Sequence, residues 1–238
     1  MALILLGALL LVRHSVNRLA ADLRDTTLEL VQARDRLAAT KARFAEITTQ
    51  DELTGCSNER HLMDMLLQHR AMSDRGEYTF TLVVSQVDQF SDIVDAYGLA
   101  RANQVLQLFA SVVKAALREV DVIARLNTDK FAMVLSGAGE EDALSIINRV
   151  SSLIAQIHVD DGEGKSTDMR ITASGGITTY HGSETSEELL DHAEQALAYA
   201  VAEGRDRVAG YNYVAPMLEG SEMDVTSSDS QHKIADDE

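Results

Sequence analysis

The chain has 238 residues, 45% of them apolar, which is enough for one domain of ordinary size with a substantial core and too much for wholesale disorder. Its formal net charge is -17, which opposes the phosphate backbone of DNA or RNA and excludes non-specific nucleic-acid binding, so any anionic ligand must be met by a local cluster of Arg or Lys. The single cysteine, Cys56, can form neither an internal disulfide nor a zinc site with Cys partners, and it reads as a small packed residue in a reducing compartment.

Residues 1–12 are an unbroken apolar or Gly run, ended by Arg13 and His14. The run is short of the roughly 20 residues a spanning helix needs. The cations Arg13, Arg18 and Arg24 follow it, an order that retains the next segment in the cytoplasm. The expectation is a single-pass N-terminal anchor over residues 1–14 in the inner (cytoplasmic) membrane, with everything after it cytoplasmic. A helix end packed on a partner is the alternative.

From Ser15 to Gln50 there is neither Gly nor Pro. Leu19, Leu23, Thr26, Leu30, Ala33, Leu37, Thr40, Phe44 and Ile47 step by four and three residues, a heptad seam among charged positions. One helix cannot bury that stripe alone, so a parallel homodimer through a coiled coil is expected, with a helix lying on its own domain as the other possibility.

Strands and helices alternate from Asp51 to Tyr213. Strands are predicted at Tyr78–Val87, Val120–Arg125, Phe131–Leu135 and Arg170–Thr178, with an edge strand at Val208–Tyr213. Helices are predicted at Ala96–Arg118, Glu141–Ile157 and Glu187–Glu203, the last stopped by Gly204. The polar tetrad Asn127-Thr128-Asp129-Lys130 between two apolar runs reads as a hairpin. The fold class is α/β, a central mixed or antiparallel sheet flanked by helices. Residues 214–238 are expected to be a disordered acidic tail, with seven acidic residues against one Lys from Met217 onward.

Several motifs stand in a particular order: Asp51-Glu-Leu-Thr-Gly55 with Asn58, then Val87-Asp88-Gln89-Phe90, then the tetrad with Phe131, then Ala196-Leu197 and Gly204-Arg205-Asp206-Arg207-Val208. This order resembles the GGDEF domain of bacterial diguanylate cyclases over about Asp51–Tyr211. The resemblance implies a nucleotidyl-cyclase-like fold, and an ancestry in enzymes that condense two GTP molecules into cyclic di-GMP across a dimer. Such chemistry needs Mg²⁺ held by carboxylates and glycines that let the backbone approach phosphates.

Against that pattern the active site is degenerate. The family's Gly-Gly-Asp/Glu-Glu-Phe stands as Asn127, Thr128, Asp129, Lys130 and Phe131, so both glycines are lost and one acid becomes a cation. The metal-binding Asp matches Gln86, and the guanine-reading Asn matches Val94. The next guanine contact, an Asp, matches Asn103 after Ala102, and the phosphate-binding Lys matches Val201. Asp88, Asp129 and Arg205 remain as remnants. One such contact is worth about 2–4 kcal/mol in the transition state, so losing several cuts the rate by orders of magnitude. No metal is expected, with Asp129 the remnant ligand, and Mg²⁺ enters only if residual activity survives. Leu53, Phe90, Tyr97, Gly98, Phe131 and Gly204, positions that support the fold, are kept.

The resemblance also implies a product site. Arg118-Glu-Val-Asp121 stands at the family's offset before the hairpin, and Arg149 lies where a second Arg is expected on the next helix. An Arg fork matches guanine O6 and N7, and an Asp accepts from the guanine N1–H and amino group. The plain structural alternative is a helix-terminal cation, a strand-starting Asp and a solvated helix Arg. Three functions follow: an inactive cyclic di-GMP receptor acting through Arg118, Asp121 and Arg149; a working cyclase with an atypical site; and a nucleotide-independent interaction module. The last would dimerise or dock a membrane or signalling protein, such as an exopolysaccharide or motility complex.

Overall fold

The computed structural model describes residues 18, 24, 27, 30–34, 36, 48–76, 78–156 and 170–217. The chain divides into two compact units, residues 1–48 and residues 49–238. Of the first unit, positions 30–34 are helical, with Leu30 and Val31 exposed. The rest of the expected coiled-coil seam, the apolar run at 1–14 and the tail beyond 217 lie outside the described residues. The expected single-pass anchor is corrected: no helix among the described residues is long and apolar enough to cross a membrane. A run of 12 apolar or Gly residues reaches little more than half the roughly 30 Å hydrocarbon core at 1.5 Å per helical residue.

The second unit is an α/β/α sandwich. In chain order its elements are β1 (Ser57–Asn58), α1 (Glu59–Ser73), β2 (Phe80–Val87), α2 (Phe90–Ala116), β3 (Val122–Arg125), β4 (Lys130–Ser136), α3 (Glu140–Ile154), β5 (Ala173–Thr179), α4 (Ser186–Ala202) and β6 (Val208–Gly210). The six strands lie in the order β1-β3-β4-β2-β5-β6. The β1/β3 and β5/β6 pairs at the two edges are parallel, and the three pairs between them are antiparallel.

Strand β2 reads FTLVVSQV because both its faces are covered, so alternation into solvent is absent and nearly every side chain is buried. Its alternate residues feed two cores. Val83 and Val87 join Phe131, Met133 and Leu135 of β4 beneath α2 and α3, with Phe109 and Ile147 among the helical contributors. Phe80, Leu82 and Val84 join Ala132 and Val134 beneath α1 and α4, with Leu62, Leu66, Leu189 and Leu197. Cys56 is buried in the first core.

Local chemistry sets the helix boundaries. The side-chain carbonyl oxygen of Asn58 accepts from the His61 amide at 2.9 Å and starts α1. Thr185 and Glu188 form a reciprocal capping box at the start of α4. Helix α2 begins at Phe90, earlier than the expected Ala96, and is interrupted at Gly98, whose φ of 78° suits glycine. The neighbouring Tyr97 is 42% exposed, so it does not support the core.

Two further differences have physical causes. Helix α1 is absent from the sequence-based expectation, although Leu62, Leu66 and His69 follow Asn58 at helical spacing and are its buried face. Residues 211–217 are helical rather than the second half of an edge strand. Val214 is fully buried against Ala196, Ala200 and Ala209, so packing on small residues of α4 overrides the β-propensity of Tyr211 and Tyr213.

Helix α4 lies against β5 at Gly176. A Cβ built there would stand 2.0 Å from the Ala193 carbonyl oxygen and 2.3 Å from the Leu197 backbone nitrogen. Those atoms belong to helical backbone and cannot swing away as a side chain could. Gly176→Ala is therefore expected to destabilise the domain by more than about 3 kcal/mol, as severe overpacking does. Urea unfolding of the variant beside the unaltered chain measures this, and a loss under about 1 kcal/mol would contradict the close approach.

Candidate functional site

The hairpin between β3 and β4 is built around Arg125. Its Nε donates to the Asn127 carbonyl at 2.9 Å and its Nη2 to the Thr128 carbonyl at 2.8 Å. Its Nη1 lies 3.2 Å from both carboxylate oxygens of Asp51. Asp51 Oδ1 also accepts from the Thr54 amide at 2.8 Å and the Thr54 hydroxyl at 2.7 Å. The Asp51-Glu-Leu-Thr-Gly55 turn and the hairpin are thus two ends of one network.

The tetrad folds without glycine. None of Asn127, Thr128, Asp129 and Lys130 has a positive φ. Asn127 Oδ1 accepts, at 3.4 and 3.3 Å, from the amides of Asp129 and Lys130, so this side chain caps its own turn. Asn127 and Thr128 are exposed at the tip.

Beside the tip is a cleft of about 250 Å³ lined in part by Gln86, Asp88, Asp92, Asp129, Val201 and Arg205. Five of the remnant or degenerate positions singled out from sequence meet here, drawn from β2, its following turn, the hairpin and the end of α4. Val94 and Asn103 are not among the lining residues. Val94 packs against the larger core instead, and Asn103 is half-buried on α2.

Two carboxylates of the cleft, Asp88 and Asp129, are engaged within the protein. Asp88 is buried: its Oδ1 accepts from the Ser174 hydroxyl at 2.7 Å, and its Oδ2 from the Thr172 hydroxyl at 2.8 Å and the Asp206 amide at 3.1 Å. Its carboxylate holds together the end of β2, the approach to β5 and the Gly204-Arg205-Asp206 turn. Asp129 Oδ2 accepts from the Gln86 amide nitrogen at 2.7 Å. Lys130 Nζ donates to Glu194 Oε1 of α4 at 2.9 Å. Gln86 and Lys130 are cross-strand partners in the β2/β4 register. Arg205 is exposed and, with φ 63°, turns back where α4 has ended.

A Mg²⁺ ion of the kind that active family members use does not fit this donor set. Gln86 presents an N–H donor to Asp129, both oxygens of Asp88 are already accepting, and the nearest ammonium, that of Lys130, is paired with Glu194. Among the described residues no group of three or more His, Cys, Asp or Glu side chains could hold a metal.

A second polar cluster lies at the C-terminal end of α2. Arg149 Nη2 on α3 donates to the Ala116 carbonyl at 2.6 Å, satisfying a terminal carbonyl two residues before Arg118. Asp121 Oδ2 accepts from the Arg118 backbone amide at 2.9 Å, and its Oδ1 from the Ser136 amide at 3.1 Å. The Arg118 side chain is exposed and makes no hydrogen bond among the described residues. The fold brings Arg118, Asp121 and Arg149 to one helix end, with one backbone bond already on each Asp121 oxygen.

Sequence reasoning missed Arg125, Glu194, Thr172 and Ser174. Arg125 sits two residues before the tetrad and could have been noticed as a cation at a turn. Glu194 and the two hydroxyls become partners only through tertiary approach.

With this geometry in view, comparison with known proteins gives the class. The family model described as "Diguanylate cyclase, GGDEF domain" matches residues 48–207, and the chain belongs to that family. It is 32% identical over 158 residues to diguanylate cyclase DgcP of Pseudomonas aeruginosa, covering 66% of this chain and 23% of the relative. It is 32% identical over 225 residues to diguanylate cyclase TpbB of the same species, covering 92% of this chain and 50% of the relative. The chain therefore spans half or less of these two curated relatives. The crystal structure of the coiled coil and GGDEF domain of DgcB from Caulobacter crescentus, in complex with c-di-GMP, is similar with a TM-score of 0.66. It is 25% identical, and the match covers 81% of this chain and 98% of that one.

The Asp51 network has a pH signature. Burial pushes the Asp51 carboxyl up, but the Thr54 hydroxyl and amide, followed by Arg125, outweigh it and hold the group below its ordinary value of 3.8. A carboxylate depressed in the folded state contributes stability above the ordinary value and loses it as pH falls through the folded value. Asp51→Ala is expected to cost about 1–2 kcal/mol at neutral pH. Denaturant titrations of both chains should show the gap narrowing once pH drops below 3.8. A gap unchanged by acid would remove Asp51 as its source.

Proposed function

We propose that this chain is a GGDEF domain without cyclase activity, serving as a cyclic di-GMP receptor through Arg118, Asp121 and Arg149, and dimerising through the helical segment that precedes the domain. The observation that carries the reading is a contrast. The cleft carboxylates Asp88 and Asp129 are already engaged within the protein, whereas the Arg118 guanidinium projects from a preorganised helix end. An Arg fork beside a carboxylate complements a guanine edge, and a second Arg offers charge to a phosphate. The solved DgcB domain, similar in fold, is in complex with c-di-GMP. The net charge of -17 opposes an anionic ligand, so affinity rests on these few cations.

The receptor reading requires a ligand to use the Asp121 lone pairs that its two backbone amides leave free. It also requires Arg149 to keep or exchange its bond to Ala116. Either demand favours a ligand that meets both arginines together.

Isothermal titration of cyclic di-GMP into the full chain tests this. A dissociation constant near micromolar, about -8 kcal/mol, is expected, with at least about a tenfold loss in Arg118→Ala. No cyclic di-GMP should form from GTP and Mg²⁺ in the same sample. Turnover would favour the atypical cyclase. Absence of both turnover and binding would leave the nucleotide-independent interaction module, with a protein partner to be sought.

A further inference from the structure

We infer that Gln86 and Lys130 together stand in for a bound cation beside Asp129 and Glu194, so that the hairpin is held against α4 by side chains alone and is indifferent to divalent metal. The inference deepens the catalytically inert half of the reading above and does not depend on ligand binding at Arg118.

Strands β2 and β4 pair antiparallel with Gln86 opposite Lys130, which puts the two side chains on the face that α4 covers, together with Val84 and Ala132. Two carboxylates approach this face: Asp129 from the hairpin and Glu194 from α4. Left without a cation, two acids and any further carboxylate at position 86 or 130 would repel one another across a half-buried gap. Here each acid has a donor of its own. The Gln86 amide meets Asp129 at 2.7 Å, and the Lys130 ammonium meets Glu194 at 2.9 Å.

The two substitutions are physically matched. Gln86 removes one negative charge and supplies an N–H, and Lys130 removes another and supplies a positive charge. The ammonium is carried on the chain, so closing the hairpin onto α4 costs no metal dehydration and needs no metal concentration. The Lys130 and Glu194 side chains retain 26% and 40% exposure, so the pair is partly screened and its effect should be modest and sensitive to salt.

Thermal unfolding of the full chain in EDTA and in MgCl₂ tests the inference. Ionic strength must be matched with NaCl, because a chain of charge -17 gains from screening alone. The unaltered chain should give the same Tm in both. Lys130→Met should lower Tm by about 1–4 °C with no response to Mg²⁺, and Lys130→Arg should recover most of the loss. The double change Gln86→Asp with Lys130→Glu gathers four carboxylates. It should unfold at a lower temperature in EDTA and regain Tm when Mg²⁺ is added.

A specific rise in Tm of the unaltered chain with Mg²⁺ would overturn the inference, as would an unchanged Tm in Lys130→Met. Those two arms decide the matter even where the double variant does not fold. A GTP turnover assay on the same sample separates the failures. Turnover sinks the inert reading, whereas a metal-dependent Tm without turnover sinks only the internal cation.

Discussion

The guanidinium of Arg125 is the constraint on which the hairpin region depends. It is planar, it cannot lose its proton, and it offers donors in fixed directions. Two of those directions meet the Asn127 and Thr128 carbonyls, and a third meets the Asp51 carboxylate. A turn lacking glycine is thereby held at the end of β3 and β4, and the first motif of the domain is fastened to it. Because β3 and β4 leave and return through that turn, their register follows from it. The position of Lys130 opposite Gln86 is set separately, by the β2/β4 ladder.

The cleft beside the hairpin shows how its carboxylates are held by the fold itself. Asp88 is still buried, but its two oxygens serve the Ser174 and Thr172 hydroxyls and the Asp206 amide. Buried carboxylates are costly unless they accept several hydrogen bonds, so Asp88 in this setting serves the architecture. Gln86 and Lys130 show the complementary case. Each donates to an acid, Asp129 or Glu194, that would otherwise stand without that donor.

The α2 end is different in kind. Asp121 and Arg149 do ordinary structural duty there: Arg149 donates to a carbonyl that the helix terminus leaves open, and Asp121 accepts from the Arg118 amide in the turn that follows. That duty also fixes their positions, so an exposed Arg118 stands beside a carboxylate and a cation whose places are already determined. Preorganisation of this sort lowers the entropy lost when a ligand is ordered.

Family and fold class were legible in the residues because they rest on local order: the Asp51–Gly55 motif, the apolar β2 run, the polar tetrad and the Gly204-Arg205 stop. Candidate site positions could be proposed for the same reason, since each sits at a fixed offset from a recognisable neighbour. Helix α1 escaped although Asn58, Leu62 and Leu66 carried its signal. Residues 211–217 were misassigned because Val214 is decided by burial against α4 rather than by propensity. The sequence by itself determined which chemical groups are present and missing, since spacing along a chain encodes motif and period. Which group holds which was decided by tertiary structure alone. Glu194 lies 64 positions from Lys130, and Ser174 lies 86 from Asp88. Only sheet register and the close seat of α4 on Gly176 bring such partners within hydrogen-bonding distance.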